Sequence, residues 1–379
     1  MKTKILRLPK APIVLICIGI GILQLLFLNL SSYVYHVIIH PHLSGAYSDQ
    51  MITEGISALF SLILLCFFGY SSILKEKGEG LTKGLYASSY YIAYISYHAI
   101  YSTYSYLMES QVSICGFGEI LSFVSTMLLI GITEELLCRG IVLNLLLDRF
   151  SNTKRGIWSA IIIASSLFGL LHLPNIFAGA SPKAVLMQAV SATAGGILFS
   201  AIYIRSNNIW IPILAHAAFD FMALIPSGIF GMSTIVEHLN NTSMISLLKS
   251  SVEIIPALIL LKPSKLDEVI LRRQNNQTCT NELKAVHSGK TDAIISILFG
   301  ATSIVLGFTG MFWGIGFIGI LAGRLSKKQK PANNKLAQIG FILSLIGTIF
   351  GIVCATGFIL SFSSMGHFDK YIFKQKYPL

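Results

Sequence analysis

The sequence predicts an all-α, polytopic transmembrane helical bundle of about eight spans, followed by a Gly-rich membrane hairpin. Three observations lead there: composition, run length and the placement of basic residues. Of the 379 residues, 54% are hydrophobic and only 12% charged, with a mean hydropathy of +0.70. That lies well to the apolar side of an ordinary globular domain. Apolar runs of about 20 residues recur, enough to cross roughly 30 Å of hydrocarbon as helix. Inside lipid, backbone polar groups tolerate only helices or closed barrels, and long unbroken runs select helices.

The body spans are expected at 12–34, 55–74, 84–108, 119–147, 156–173, 183–204, 209–230 and 243–261, followed by apolar runs at 292–323 and 336–361. The first is preceded by MKTKILRLPK, the basic flank of a signal peptide. Its apolar stretch exceeds a typical signal core and no clear small-residue cleavage site follows, so it is expected to be retained. Lys2, Lys4, Arg7 and Lys10, then Lys75, Lys77 and Lys83, then Arg149, Lys154 and Arg155, then Arg205, then Lys262, Lys265, Arg272 and Arg273 fall in alternate interspan segments. The positive-inside bias explains the net charge of +11 without nucleic acid and sets the N-terminus in the cytoplasm of a multi-pass protein of the cell membrane. Six scattered cysteines form no CxxC pair or ligand-like cluster.

Five regions follow: N-terminal spans 1–83, a core 84–262, a polar linker 263–290, a Gly-rich hairpin 291–362 and a basic tail 363–379. Within the hairpin, Gly300, Gly307, Gly310, Gly314, Gly316, Gly319 and Gly323 allow close helix contact. A single crossing by 292–323 exports the basic turn SKKQKPANNK, whereas a re-entrant path exports the tail instead, and both remain open. In the third span Tyr86, Tyr90, Tyr94, Tyr97, Tyr101 and Tyr104 recur every three or four residues and make one helical stripe. Two readings stand: aromatic packing between helices or at the membrane interface, and a wall of a substrate groove with His98 nearby.

Ionisable residues at membrane depth carry the chemistry. Each charge at the bilayer centre costs about 2.5 to 3.5 kcal/mol on insertion scales, so four without compensation cost on the order of 10 kcal/mol. Mutual pairing or a wet cavity must offset most of this. Glu135 and Arg139 are four apart and share a helix face, which turns Glu134 by about 100° toward another surface. Phe168 and His172 have the same spacing, as do His216 and Asp220, so each imidazole has a companion able to fix its ring. A histidine packed on a carbonyl, a Glu–Arg staple or a proton pathway explains any one of these alone. Their conjunction on three spans favours function.

The ordered motifs Glu134-Glu135-x-x-x-Arg139, Phe168-x-x-x-His172 and His216-x-x-x-Asp220 resemble those of the CAAX-processing and bacteriocin-processing (Abi, CPBP) family of intramembrane proteases. The surrounding LCRGIVLNLLLDRF and SSLFGLLHLPN are similar too, over about residues 85–262. The Gly-rich hairpin resembles an uncharacterised family of two-helix membrane hairpins. The protease resemblance implies hydrolysis of a peptide bond in a peptide or membrane-anchored protein by non-covalently activated water. Glu134 would be the general base, and His172 would hold and polarise the water. His216 with Asp220 would bind the oxyanion or assist proton delivery, and Glu135 with Arg139 would position the other helix face. Relatives that cleave prenyl-proteins carry Asn at the last position, so Asp220 is expected to orient His216.

The family is often called metalloprotease. Glu134, His172 and His216 are the residue types of a catalytic zinc set, but no HExxH is present and the same residues serve without a divalent metal. The alternative function is a catalytically silent immunity or binding protein that sequesters a peptide toxin. A proton-coupled transporter is weaker, since the motifs show no inverted repeat.

Overall fold

A computed structural model describes residues 9–39, 47–75, 78–108, 113–241 and 251–273, with five more between 339 and 346. Every regular element among them is helical. The chain divides into two units, residues 1–275 and 276–379. Nearly all of the hairpin, the tail and most of the polar linker lie outside the described residues, as do His40 and His42.

The helices of the first unit are α1 (Lys10–Val34), α2 (Ser48–Phe67), α3 (Gly78–Leu107), α4 (Phe117–Glu135), α5 (Asn144–Phe150), α6 (Lys154–Leu170), α7 (Pro182–Ser206), α8 (Trp210–Ala223), α9 (Ile225–Gly228), α10 (Ile235–Asn240) and α11 (Ser251–Leu260). A further helix, α12, covers residues 263–273. Among the described residues, five continuous helical stretches are long and apolar enough to cross a membrane: Lys10–Val37, Ser48–Phe67, Phe117–Phe150, Lys154–Ile176 and Pro182–Ser206. The expected spans 84–108 and 209–230 coincide with α3 and with α8 and α9, and the described part of 243–261 coincides with α11; none of these is among those five. The all-α membrane bundle expected from the sequence is therefore found.

Local chemistry sets the boundaries. Thr153 caps α6 by accepting from the Gly156 amide, and Ser181 caps α7 by accepting from Ala184, with Pro182 at the first turn. Asn207 ends α7 in the left-handed region at φ 55°, where Asn is tolerated better than most side chains. The expected fourth span is not one regular α-helix, because Leu136–Leu143 between α4 and α5 is a π-helical segment. It follows the two acids directly and contains Arg139. Such segments concentrate at functional sites.

Helix α4 packs on α2 and α8, α7 packs on α6 and α11, and α3 lies against α7 and α8. Gly131 lets α4 and α8 approach closely, since a Cβ there would meet the Ile213 carbonyl at 2.8 Å and Ala217 at 3.2 Å. The obstacle is backbone and cannot swing away. Gly131→Ala is therefore expected to cost about 1 to 3 kcal/mol, read as a lowered unfolding midpoint of the full chain in detergent.

The tyrosine stripe faces outward. Tyr86, Tyr90, Tyr97, Tyr101 and Tyr104 are exposed, while Tyr94 is half-buried and packs on His98 with ring centroids 4.5 Å apart. The inward tyrosine is Tyr91, off the stripe, which is 1% exposed and packs against Phe199 and Phe219.

Candidate active site

Four helical segments supply the motif residues, with Phe168 standing between His172 and the cluster of Glu134, Glu135, Arg139, His216 and Asp220. The end of α4 supplies Glu134 and Glu135, the π segment Arg139, the end of α6 Phe168 and His172, and the middle of α8 His216 and Asp220. Arg139 is 1% exposed and Glu135 fully buried, and their ion pair closes at 2.6 Å. The guanidinium also donates to the Gly196 carbonyl at 3.1 Å. It lies over the Phe168 ring at 4.7 Å and the Phe199 ring at 5.4 Å. A buried charge needs such saturation of its donors, and aromatic faces add cation–π attraction.

The Glu135–Arg139 pair holds an imidazole. Glu135 Oε1 faces His216 Nδ1 at 2.9 Å. A carboxylate accepts, so Nδ1 carries the proton and Nε2 points the other way. There it meets two acids, Glu134 Oε2 at 3.5 Å and Asp220 Oδ2 at 3.4 Å. Both distances exceed a good hydrogen bond, which leaves the groups at Nε2 able to bind a third molecule. The Phe199 ring stacks on His216 with centroids 5.1 Å apart, and the Phe168 ring meets it edge-on at 5.6 Å.

This alters one expectation. Asp220 was expected to orient His216, yet Glu135 faces Nδ1 from across the helix interface, while Asp220 shares Nε2 with Glu134. The reason is register. One turn along α8 sets Asp220 beside the far ring nitrogen, and the close α4–α8 approach at Gly131 delivers Glu135 to the near one.

His172 stands just beyond α6. Its Nδ1 lies 3.0 Å from the Phe168 carbonyl, and because a carbonyl only accepts, Nδ1 is the donor, which in the neutral ring makes Nε2 the acceptor. Phe168 is the shared wall, edge-on to His172 with centroids 5.2 Å apart and to His216 on another side. Glu134 and Asp220 keep 30% and 22% of their side chains exposed, against 0% for Glu135. Glu135 is thus sealed into the structure and Glu134 can be reached.

Two acids escaped the sequence reading. Glu54 was placed just outside a span beginning at 55, but α2 begins at Ser48 and buries it. Its carboxyl group is within electrostatic range of Glu134 and Asp220, and its backbone carbonyl accepts from the Thr133 hydroxyl at 3.5 Å. A lone acid in ITEGISALF was the available signal. Glu253, buried on α11, lies 3.5 Å from the Tyr91 hydroxyl, and it had no companion at helical spacing to mark it.

Among the described residues, no three His, Cys, Asp or Glu side chains are grouped so that they could hold an ion. Both nitrogens of His216 already face carboxylates. No step is therefore routed through zinc.

No curated protein and no solved structure matches the chain. Residues 116–222 match the family model described as type II CAAX prenyl endopeptidase Rce1-like. This stretch is narrower than the resemblance over 85–262, and α3, α11, Glu54 and Glu253 lie outside it. It contains all three motifs, from Glu134 to Asp220. The central segment, residues 116–222, is thus similar to the Rce1-like group of the CPBP family that its motifs resemble.

Proposed function

We infer that the protein is an intramembrane endopeptidase that hydrolyses a peptide bond in a peptide or membrane-anchored protein with water activated by Glu134. One observation carries the reading most: His216 is clamped at Nδ1 by the sealed Glu135–Arg139 pair and presents Nε2 beside two more accessible acids. An Rce1-like segment supports protease chemistry in general.

The charge balance supports the division of labour. Arg139 compensates Glu135, and an imidazolium at His216 compensates one acid at Nε2, which leaves one carboxylate over. Glu134, the more exposed of the two, is that base. It takes a proton from water whose other hydrogen is held by the His172 lone pair. The oxygen adds to the scissile carbonyl, and the His216 Nε2–H donates to the oxyanion. Collapse breaks the C–N bond, and the proton held by Glu134 passes to the departing amine. General-base catalysis of this kind contributes about 10²- to 10⁴-fold, and a preorganised oxyanion donor about 10²- to 10³-fold.

The basic side chains Lys10, Lys154, Arg205, Lys265 and Arg273 all engage the end of the body carrying Phe150 and α12. The positive-inside bias supports a cytoplasmic position for that end and for the N-terminus.

Comparative peptidomics of membranes with and without the full chain tests the function. New peptide termini that require the chain are expected. Peptide retained by the purified protein with no new terminus would favour the silent binding protein instead.

A further inference from the structure

Helix α12 begins the polar linker expected from the sequence, and it is docked on the body. Leu266 and Val269, three apart, are 1% and 2% exposed and form its apolar seam. Around them Lys154 pairs with Asp267 at 2.8 Å, Arg205 with Glu268 at 3.2 Å, and Arg272 donates to the Ile204 carbonyl at 2.6 Å. The pairs at Lys154 and Arg205 are partly solvated and contribute little each. The last described residue of the helix differs from them, because it reaches inward.

Arg273 forks. Nη1 donates to Asp148 Oδ1 at 3.2 Å, and Nη2 donates to Asn144 Oδ1 at 2.8 Å. The other oxygen of Asp148 accepts from the Tyr70 hydroxyl at 2.9 Å. Burial and the facing carboxylate hold that phenol well above its ordinary range, so it stays a donor. With its oxygen fixed by the guanidinium, the Asn144 amide nitrogen must point the other way. It lies 3.0 Å from the Arg139 carbonyl, 3.1 Å from the Gly140 carbonyl and 2.8 Å from the Tyr203 hydroxyl. Asn144 is the first residue after the π segment. Where a π turn returns to α-helix, carbonyls lose their regular partners, and Asn144 supplies a side-chain donor to two of them.

The register of that π segment sets where Arg139 emerges, and Arg139 grips the Glu135 oxygen that clamps His216. We propose that Arg273 is a positioning residue for the Glu135–Arg139–His216 cluster, acting through Asn144 and the π-segment carbonyls. Docking of α12, outside the matched segment 116–222, thereby fixes the site. The inference about rate rests on the hydrolytic reading; the inference about geometry does not.

Full-length protein in lipid nanodiscs separates the two. Arg273→Gln is expected to speed amide exchange in residues 137–144 on the order of tenfold, as loss of a charge-assisted hydrogen bond implies. Arg273→Lys keeps the charge but cannot fork between Asp148 and Asn144, so it is expected to act in the same direction. Lys154→Gln breaks an exposed pair of the same helix and is expected to leave those amides unchanged. Unchanged exchange in both Arg273 variants, or equal acceleration by Lys154→Gln, overturns the proposal whether or not the chain is a protease. In a cleavage assay, kcat in Arg273→Gln is expected to fall on the order of 10- to 100-fold, with KM changed less than about twofold. A loosened π segment with undiminished kcat overturns the positioning role and leaves the hydrolytic reading intact. Absence of cleavage by the unaltered chain overturns the hydrolytic reading alone, and the exchange comparison still decides the geometry.

Discussion

Glu134→Gln is expected to slow peptide-bond cleavage by about 10²- to 10⁴-fold, the range a general base supplies. The substitution keeps the side chain's shape and hydrogen-bonding reach while removing its basicity. Glu134 is partly exposed and outside the Arg139 pair, so the unfolding midpoint should hardly move. Rates and thermal denaturation measured on one preparation distinguish this from misfolding. Retained activity would remove the base from the mechanism, because no other acid at His216 Nε2 is as open to solvent.

The largest stability effect belongs to Arg139. Arg139→Leu leaves the Glu135 carboxylate buried without its guanidinium, and breaking a buried pair on one side costs about 3 to 5 kcal/mol. The loss also removes the donor to the Gly196 carbonyl and the cation shared by Phe168 and Phe199. Chemical denaturation in detergent checks the magnitude. Replacing Glu135 by Leu as well should restore part of the stability, since the orphaned charge is gone. It should not restore cleavage, since His216 Nδ1 has then lost its clamp.

The sequence made the helical class legible because long apolar runs admit few other solutions in lipid. The three motifs were legible for a related reason: Glu135 and Arg139, Phe168 and His172, and His216 and Asp220 each sit one helical turn apart, so spacing alone pairs them. What spacing cannot express is contact between helices. The clamp on His216 comes from Glu135, 81 residues away, and nothing local distinguishes it from the expected partner Asp220. Glu54 and Glu253 were missed for the same reason, since their partners Thr133 and Tyr91 lie on other helices. The π segment was also hidden: Leu136–Leu143 has ordinary helical composition, and its register follows from the buried bonds of Arg139 and Asn144.

The central claim is that Glu134 and His172 act on one water molecule beside His216, and a double-mutant cycle tests it most directly. Cleavage rates of Glu134→Gln, His172→Ala and the combined variant are compared with the unaltered chain. Groups that serve a single molecule lose their function together, so the combined variant should be no more than a few-fold slower than the slower single one. Independent, multiplying losses would show that the two side chains do not share a water, and would contradict the mechanism.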